Sequence, residues 1–215
     1  MNLTLLITIG VPLFIVFAVI YSDRFREPTD LVIKTFVAGI IMCFPAAELN
    51  NLIIPSYEYA YRAGLTEEIL KFLVLYFYIM PKSAFNEPMD AIVYGTVISL
   101  GFATLENIEY VYLMYGDQSF YIAILRAISA IPLHASCGVI MGYYIGLYAF
   151  RGSNKYLIQA LFIPIVVHSL YNFLTGFGLI FFGYLIGVVY FANTLHKKYV
   201  FEQQNKSSEY EQRLK

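Results

Sequence analysis

The stretch GLTEEILKF, residues 64–72, puts two adjacent glutamates and a lysine at the head of an otherwise apolar, aromatic run. Ionisable groups in such a place are expensive inside a bilayer, so each needs a partner or a task. Further along come Glu106 in GFATLENIEY, His134 in IPLHASCG, and His168 with Asn172 in VVHSLYNF. On a helix, Lys71 can pair with Glu67 at i,i+4 or with Glu68 at i,i+3. Neighbouring carboxylates in a low-dielectric setting resist double ionisation, which suits one glutamate held by Lys71 and one free to take a proton. His168 and Asn172 share a helix face, where the amide can orient the imidazole or bind a substrate carbonyl.

Two hydrolytic chemistries suit such a set. Two histidines and a carboxylate supply the three ligands of an open catalytic Zn2+ site, with water in the fourth position. Glu106, His134 and His168 would then be the ligands and Glu67 the general base. Without a metal, Glu67 activates the water, a histidine assists, and Asn172 stabilises the oxyanion. The sequence contains no HExxH, no GxSxG and no GxGD motif, so serine and aspartyl mechanisms have no support. Cys43 and Cys137 lie inside apolar runs and read as small buried hydrophobes.

The elements that must position these residues are membrane helices. Of 215 residues, 59% are hydrophobic and 13% charged, whereas a soluble domain carries roughly a quarter charged residues. The apolar residues form continuous runs rather than the alternating segments of a barrel. About seven spans fit, near 3–21, 31–54, 67–80, 90–114, 131–150, 157–174 and 177–195. Residues 119–130 read as an interfacial helix leading to Pro132, a good first-turn residue. The fold class is therefore all-α, a polytopic helical bundle over residues 1–196 followed by a polar tail, 197–215, expected to be disordered. GVIMG (138–142) and GYLIG (183–187) have the small-xxx-small spacing that lets helices approach closely. A net charge of −1 gives no electrostatic case for a nucleic-acid partner.

Arg24, Arg26, Lys82, Arg151, Lys155, Lys197 and Lys198 fall in alternate connections and the tail, while the other connections hold only Arg62 and Arg126. The positive-inside rule then puts the N-terminus outside and the C-terminus in the cytoplasm. On that topology Glu67, Glu68, Glu106, His134 and His168 all fall in the outer half of the bilayer. Groups scattered over several helices need not have agreed in depth, and their agreement points to one site.

Taken singly, each residue has a plainer reading. The glutamates can complement a helix N-terminus, either histidine can be a satisfied core residue, and Glu106 can bond across helices. Taken together, they also suit a proton- or ion-coupled transporter, where Glu and His sets form relays. A non-catalytic scaffold would keep the fold and dispense with the chemistry.

EEILK (67–71), FATLE (102–106), His134 and HSLYN (168–172) resemble, in order on successive helices, the motifs of the PrsW family of bacterial membrane proteases. The resemblance covers nearly the whole chain. The wider superfamily, which includes type II CAAX prenyl endopeptidases, carries EExxxR and a histidine where FxxxE ends here, so Lys71 and Glu106 favour the PrsW branch. The resemblance implies a multi-pass protein of the bacterial cell membrane, active in a stress response. It would make the site-1 cut in a single-span anti-sigma factor of the RsiW type, near the extracytoplasmic face. It also implies that Glu67 and Glu68 match paired catalytic glutamates, that His168 matches an essential histidine, and that a metal such as Zn2+ takes part.

Overall fold

The computed structural model describes residues 2–213, and their side chains as far as Asn205. Every regular element among the described residues is helical. Helix α1 is Leu3–Ser22 and α2 is Thr29–Ile53. A 3₁₀ turn, Tyr57–Arg62, leads into α3, Ala63–Leu73, which continues as a π-helical stretch over Val74–Ile79. Helix α4, Pro88–Ile108, likewise continues as a π-helical stretch over Glu109–Met114. Then follow α5 (Ser119–Ile128), α6 (Ala130–Arg151), α7 (Asn154–Leu174) and α8 (Leu179–Arg213). Single-turn widenings of this kind recur at functional sites.

Among the described residues, six helical stretches are long and apolar enough to cross a membrane. The expected third span is shorter than those. α3 and its π continuation rise about 25 Å, against a hydrocarbon core of about 30 Å, so its polar head needs the 3₁₀ turn before it to reach the surface. α3 is also amphipathic with its polar side inward. Thr66, Glu67, Glu68 and Lys71 are buried while Leu65, Leu73 and Phe77 are exposed. In a membrane this is the economical arrangement, because lipid solvates the apolar side and the protein must satisfy the polar one.

α4 is the centre of the bundle. Residues 89–104 are buried without interruption, as expected of a helix that is apolar on all sides. α1, α2 and α6 pack against it. The closest approach is to α6, where a Cβ on Gly142 would lie 2.1 Å from the Ala91 carbonyl oxygen and one on Gly138 would lie 2.5 Å from that of Gly95. GVIMG is thus a packing motif. GYLIG has the same spacing, but a Cβ on Gly183 or Gly187 would meet nothing within 4 Å.

The tail expected to be disordered from residue 197 is helical as far as Arg213, as the end of α8. The reason lies in Tyr199 and Gln203, one turn apart and both buried. Tyr199 Oη donates to the Tyr143 carbonyl at 2.9 Å, and the Gln203 amide reaches Asp23 and Glu87. These contacts gather the α1–α2 connection, the start of α4 and the end of α8 at the basic-rich end of the bundle, the cytoplasmic end by the positive-inside rule.

Candidate active site

α3, α4, α6 and α7 bring Glu67, Glu68, Glu106, His134 and His168 into one buried network near the opposite end. Glu68 and Lys71 are fully buried, and Glu67, His134 and His168 nearly so. Lys71 Nζ donates to Glu68 Oε1 at 2.8 Å and lies 3.6 Å from Glu67 Oε2. The lysine therefore holds both carboxylates, Glu68 the more tightly. Its ammonium also lies 4.3 Å from the centre of the Phe102 ring, a cation–π contact that favours the charged form where water is excluded.

Lys71 fixes the tautomer of His134 as well. An ammonium can only donate, so His134 Nδ1 accepts from Lys71 Nζ at 3.1 Å. Its Nε2–H then donates to Glu106 Oε2 at 3.0 Å. The same Glu106 oxygen takes Arg126 at 2.6 Å, and Arg126 Nε donates to Asn107 Oδ1 at 2.6 Å. His168 meets Glu68 through Nδ1, which donates to Oε1 at 2.8 Å. That leaves Nε2 as the ring nitrogen available to a ligand or substrate. The two imidazoles pack edge to face, with centroids 4.9 Å apart.

A cavity of about 580 Å³ adjoins the network, lined by Glu67, Glu106, Arg126, His134, His168 and Asn172 among others. Asn50, Asn51 and Tyr57, also in its wall, carry it towards the end of the bundle opposite the docked end of α8, the outer end by the positive-inside rule. Neither Glu68 nor Lys71 lines it. Of the paired glutamates, then, Glu67 faces the cavity and Glu68 stands behind it.

The structure places two expected site residues in fuller surroundings. Glu106 was expected among the metal ligands. The side chains that each offer a donor atom within 4.8 Å of the others are instead Glu67, Glu68, His134 and His168, whereas Glu106 is engaged by Arg126 and orients His134. Asn172, expected to orient His168 or bind a substrate carbonyl, lines the cavity, and its Nδ2 donates to the Ala60 carbonyl at 3.3 Å, which adds a structural tie between α7 and the 3₁₀ turn. Arg126 was read only as a stray basic residue of an outer connection. A lone arginine inside the apolar run SFYIAILRAISA was the signal that it answers a buried carboxylate.

The donor set fits a metal ion. Glu67 Oε2 and Glu68 Oε2 are buried with no hydrogen-bond partner, beside an imidazole with an uncommitted nitrogen. Mixed carboxylate and imidazole donors suit Zn2+. His134 could join only by releasing Lys71 from Nδ1 or Glu106 from Nε2.

Comparison with known proteins gives the family context. A family model described as "PrsW family intramembrane metalloprotease" matches residues 27–195. The chain is 33% identical over 190 residues to a protein named Protease PrsW from Clostridioides difficile (strain 630), covering 81% of this chain and 80% of that protein. Proteins of the same name from Geobacillus kaustophilus (strain HTA426) and Bacillus subtilis (strain 168) are 36% and 35% identical, each over 69% of this chain and over 68% and 71% of their own lengths. No solved structure matches.

Proposed function

The chain belongs to the PrsW family of intramembrane metalloproteases, and from that premise we propose that it hydrolyses a peptide bond at the outer mouth of its bundle with Glu67 as the base. The observation that carries this reading is the place of Glu67 in the wall of the cavity, with no hydrogen bond at Oε2 and longer ion pairs to Lys71 at 3.6 Å and His168 at 3.8 Å. Of the paired glutamates it is the one within reach of water. Membership in a protease family leaves the relay and scaffold readings of the Glu/His set without work to do.

In this mechanism a water beside Glu67 loses its proton to Oε2 as its oxygen attacks the scissile carbonyl carbon. Glu67 then passes that proton to the departing amide nitrogen, acting as base and acid in turn. His168, held at Nδ1 by Glu68, acts as the imidazolium, whose Nε2–H donates to the developing oxyanion. Glu68 and Lys71 position these groups from behind. Arg126 and Glu106 fix the ring of His134. In a metal-bound form, Glu68 and His168, from the Glu/His group whose donor atoms lie together, would hold a Zn2+ ion, which would lower the pKa of bound water and polarise the carbonyl while Glu67 remains the base.

The substrate we propose is a single-span membrane protein of the anti-sigma-factor type, of which RsiW is the pattern, cut near the extracytoplasmic face of the bacterial plasma membrane so that a sigma factor is later released. The cavity leads to the outer helix ends, where such a segment would emerge from the bilayer. Co-expression with candidate single-span anti-sigma factors tests this. Wild type should yield a shortened substrate, and Glu67→Gln and His168→Ala should not. Undiminished cleavage by both variants would overturn the site. Metal analysis of purified active protein tests the ion separately, and active protein with no bound metal would refute it.

A further inference from the structure

A second group of carboxylates lies at the opposite end of the bundle, where the end of α8 docks, and shares no residue with the site above. Asp23 ends α1, Glu87 precedes α4 as its N-cap, and Asp90 lies in the first turn of α4. Each offers a carboxylate oxygen within 4.8 Å of the others. Asp23 and Asp90 are buried and Glu87 is half-buried. Glu27 stands beside them, accepting a short hydrogen bond from Tyr94 Oη.

The hydrogen bonds orient these groups in a one-sided way. Asp23 Oδ1 accepts from Phe25 N at 3.0 Å and from Gln203 Nε2 at 2.8 Å. Asp90 Oδ2 accepts from Asn86 N at 2.7 Å and Glu87 N at 2.8 Å. The other oxygens, Asp23 Oδ2 and Asp90 Oδ1, are buried and unpartnered. Gln203 Nε2 also donates to Glu87 Oε1 at 2.6 Å, and its own Oε1 accepts from Arg24 N at 3.3 Å. The backbone and Gln203 donors thus fall on one oxygen of each aspartate, while the second oxygen of Asp90 has only the Glu27 carboxyl beside it and that of Asp23 accepts no hydrogen bond.

Capping explains part of this. Glu87 and Asp90 form a reciprocal capping box at the start of α4, and a helix N-terminus favours carboxylates. It does not explain Asp23, which comes from another helix and brings a further bare oxygen. Buried unpaired carboxylate oxygens are costly unless a cation or a proton meets them. We propose that Asp23, Glu87 and Asp90 bind a hard divalent cation, Ca2+ or Mg2+, which joins the α1–α2 connection, the start of α4 and the docked end of α8. An all-oxygen donor set selects such ions over Zn2+, which separates this site chemically from the Glu/His one. The proposal does not depend on the proteolytic reading.

The experiment uses the full chain, purified in detergent and stripped with chelator, titrated calorimetrically with Ca2+ and with Mg2+. One equivalent of at least one ion should bind, with a rise in thermal midpoint. Affinity should fall about tenfold or more in Asp23→Asn and in Glu87→Gln, since each removes a charged ligand. Both variants keep a side-chain oxygen at the same place, and helicity by circular dichroism verifies that they fold. Binding should persist in His168→Ala, whose lesion lies in the other site. If wild type binds neither ion at millimolar concentration, or if both folded variants bind as wild type does, the proposal is wrong.

Discussion

Glu68 Oε1 lies 2.8 Å from Nδ1 of His168, and the two residues are 100 positions apart in the chain. The same oxygen holds Lys71 at 2.8 Å. One carboxylate atom therefore fixes both the lysine that steadies Glu67 and the imidazole at the cavity wall. It separates the paired glutamates into one that faces the cavity and one that stands behind it.

That separation predicts different failures for the two glutamates. Glu67→Gln should lower cleavage by about 10²- to 10⁴-fold, the usual worth of a positioned base, with little change in thermal midpoint. Cleavage of a co-expressed substrate, read beside the melting curve, checks both halves.

Glu68→Gln should lose cleavage and stability together. Removing one partner of a buried ion pair costs about 3–5 kcal/mol, because the other charge is left without compensation. The double variant Glu68→Gln/Lys71→Met should regain stability but not cleavage. A double variant no more stable than Glu68→Gln would mean that Lys71 is not held by this carboxylate.

Arg126→Lys should fall short of wild type. A lysine cannot reproduce the two bonds that the guanidinium makes to Glu106 and Asn107. The imidazole of His134 should then reorient, which NMR of histidine-labelled protein would register as a shift of the His134 signal with His168 little moved. Unchanged His134 resonances would remove Arg126 from the positioning network.

Gly142→Ala should destabilise the bundle by about 1–3 kcal/mol, as overpacking does, because its Cβ would meet backbone of α4. Gly183→Ala, on the equally spaced motif with open space around it, should be neutral or stabilising. Melting points of the two variants side by side decide the matter.

The cytoplasmic carboxylates give a pH signature when cations are chelated. Burial pushes Glu27 up to about 8, against its hydrogen bond from Tyr94, and Asp90 and Asp23 add to the rise. Between the ordinary carboxylate range and pH 8 the folded state then holds a proton that the unfolded chain has lost. Stability from this group is full at low pH and drains away as pH rises through about 8. In chelator the thermal midpoint should fall from pH 5.5 to pH 8.5, and Glu27→Gln should flatten the decline.

Much of the site was legible in the sequence because its parts are local. The spacing of Glu67, Glu68 and Lys71 on one helix contains their pairing, and the run lengths contain the helices. Relationships between helices were not legible. Glu106 and Arg126 meet across α4 and α5, and nothing in either segment states that the arginine takes the oxygen expected for a metal. The two glycine motifs look alike in sequence and differ only in whether a neighbour is present. Tyr199 and Gln203 sit among polar residues typical of a loose tail, so their burial depends on partners far away in the chain.

The central position of α4 and the late arrival of His168 have a consequence for biogenesis. α3 and α4 leave the ribosome well before α7, and until α7 is inserted Glu68 lacks the imidazole it positions. A nascent chain can therefore hold the pair of glutamates in the translocon without being able to cut its neighbours there. On the proposed mechanism, competence begins only when α7 has brought His168 to Glu68. Safety during synthesis is thus written into the order in which the helices are made.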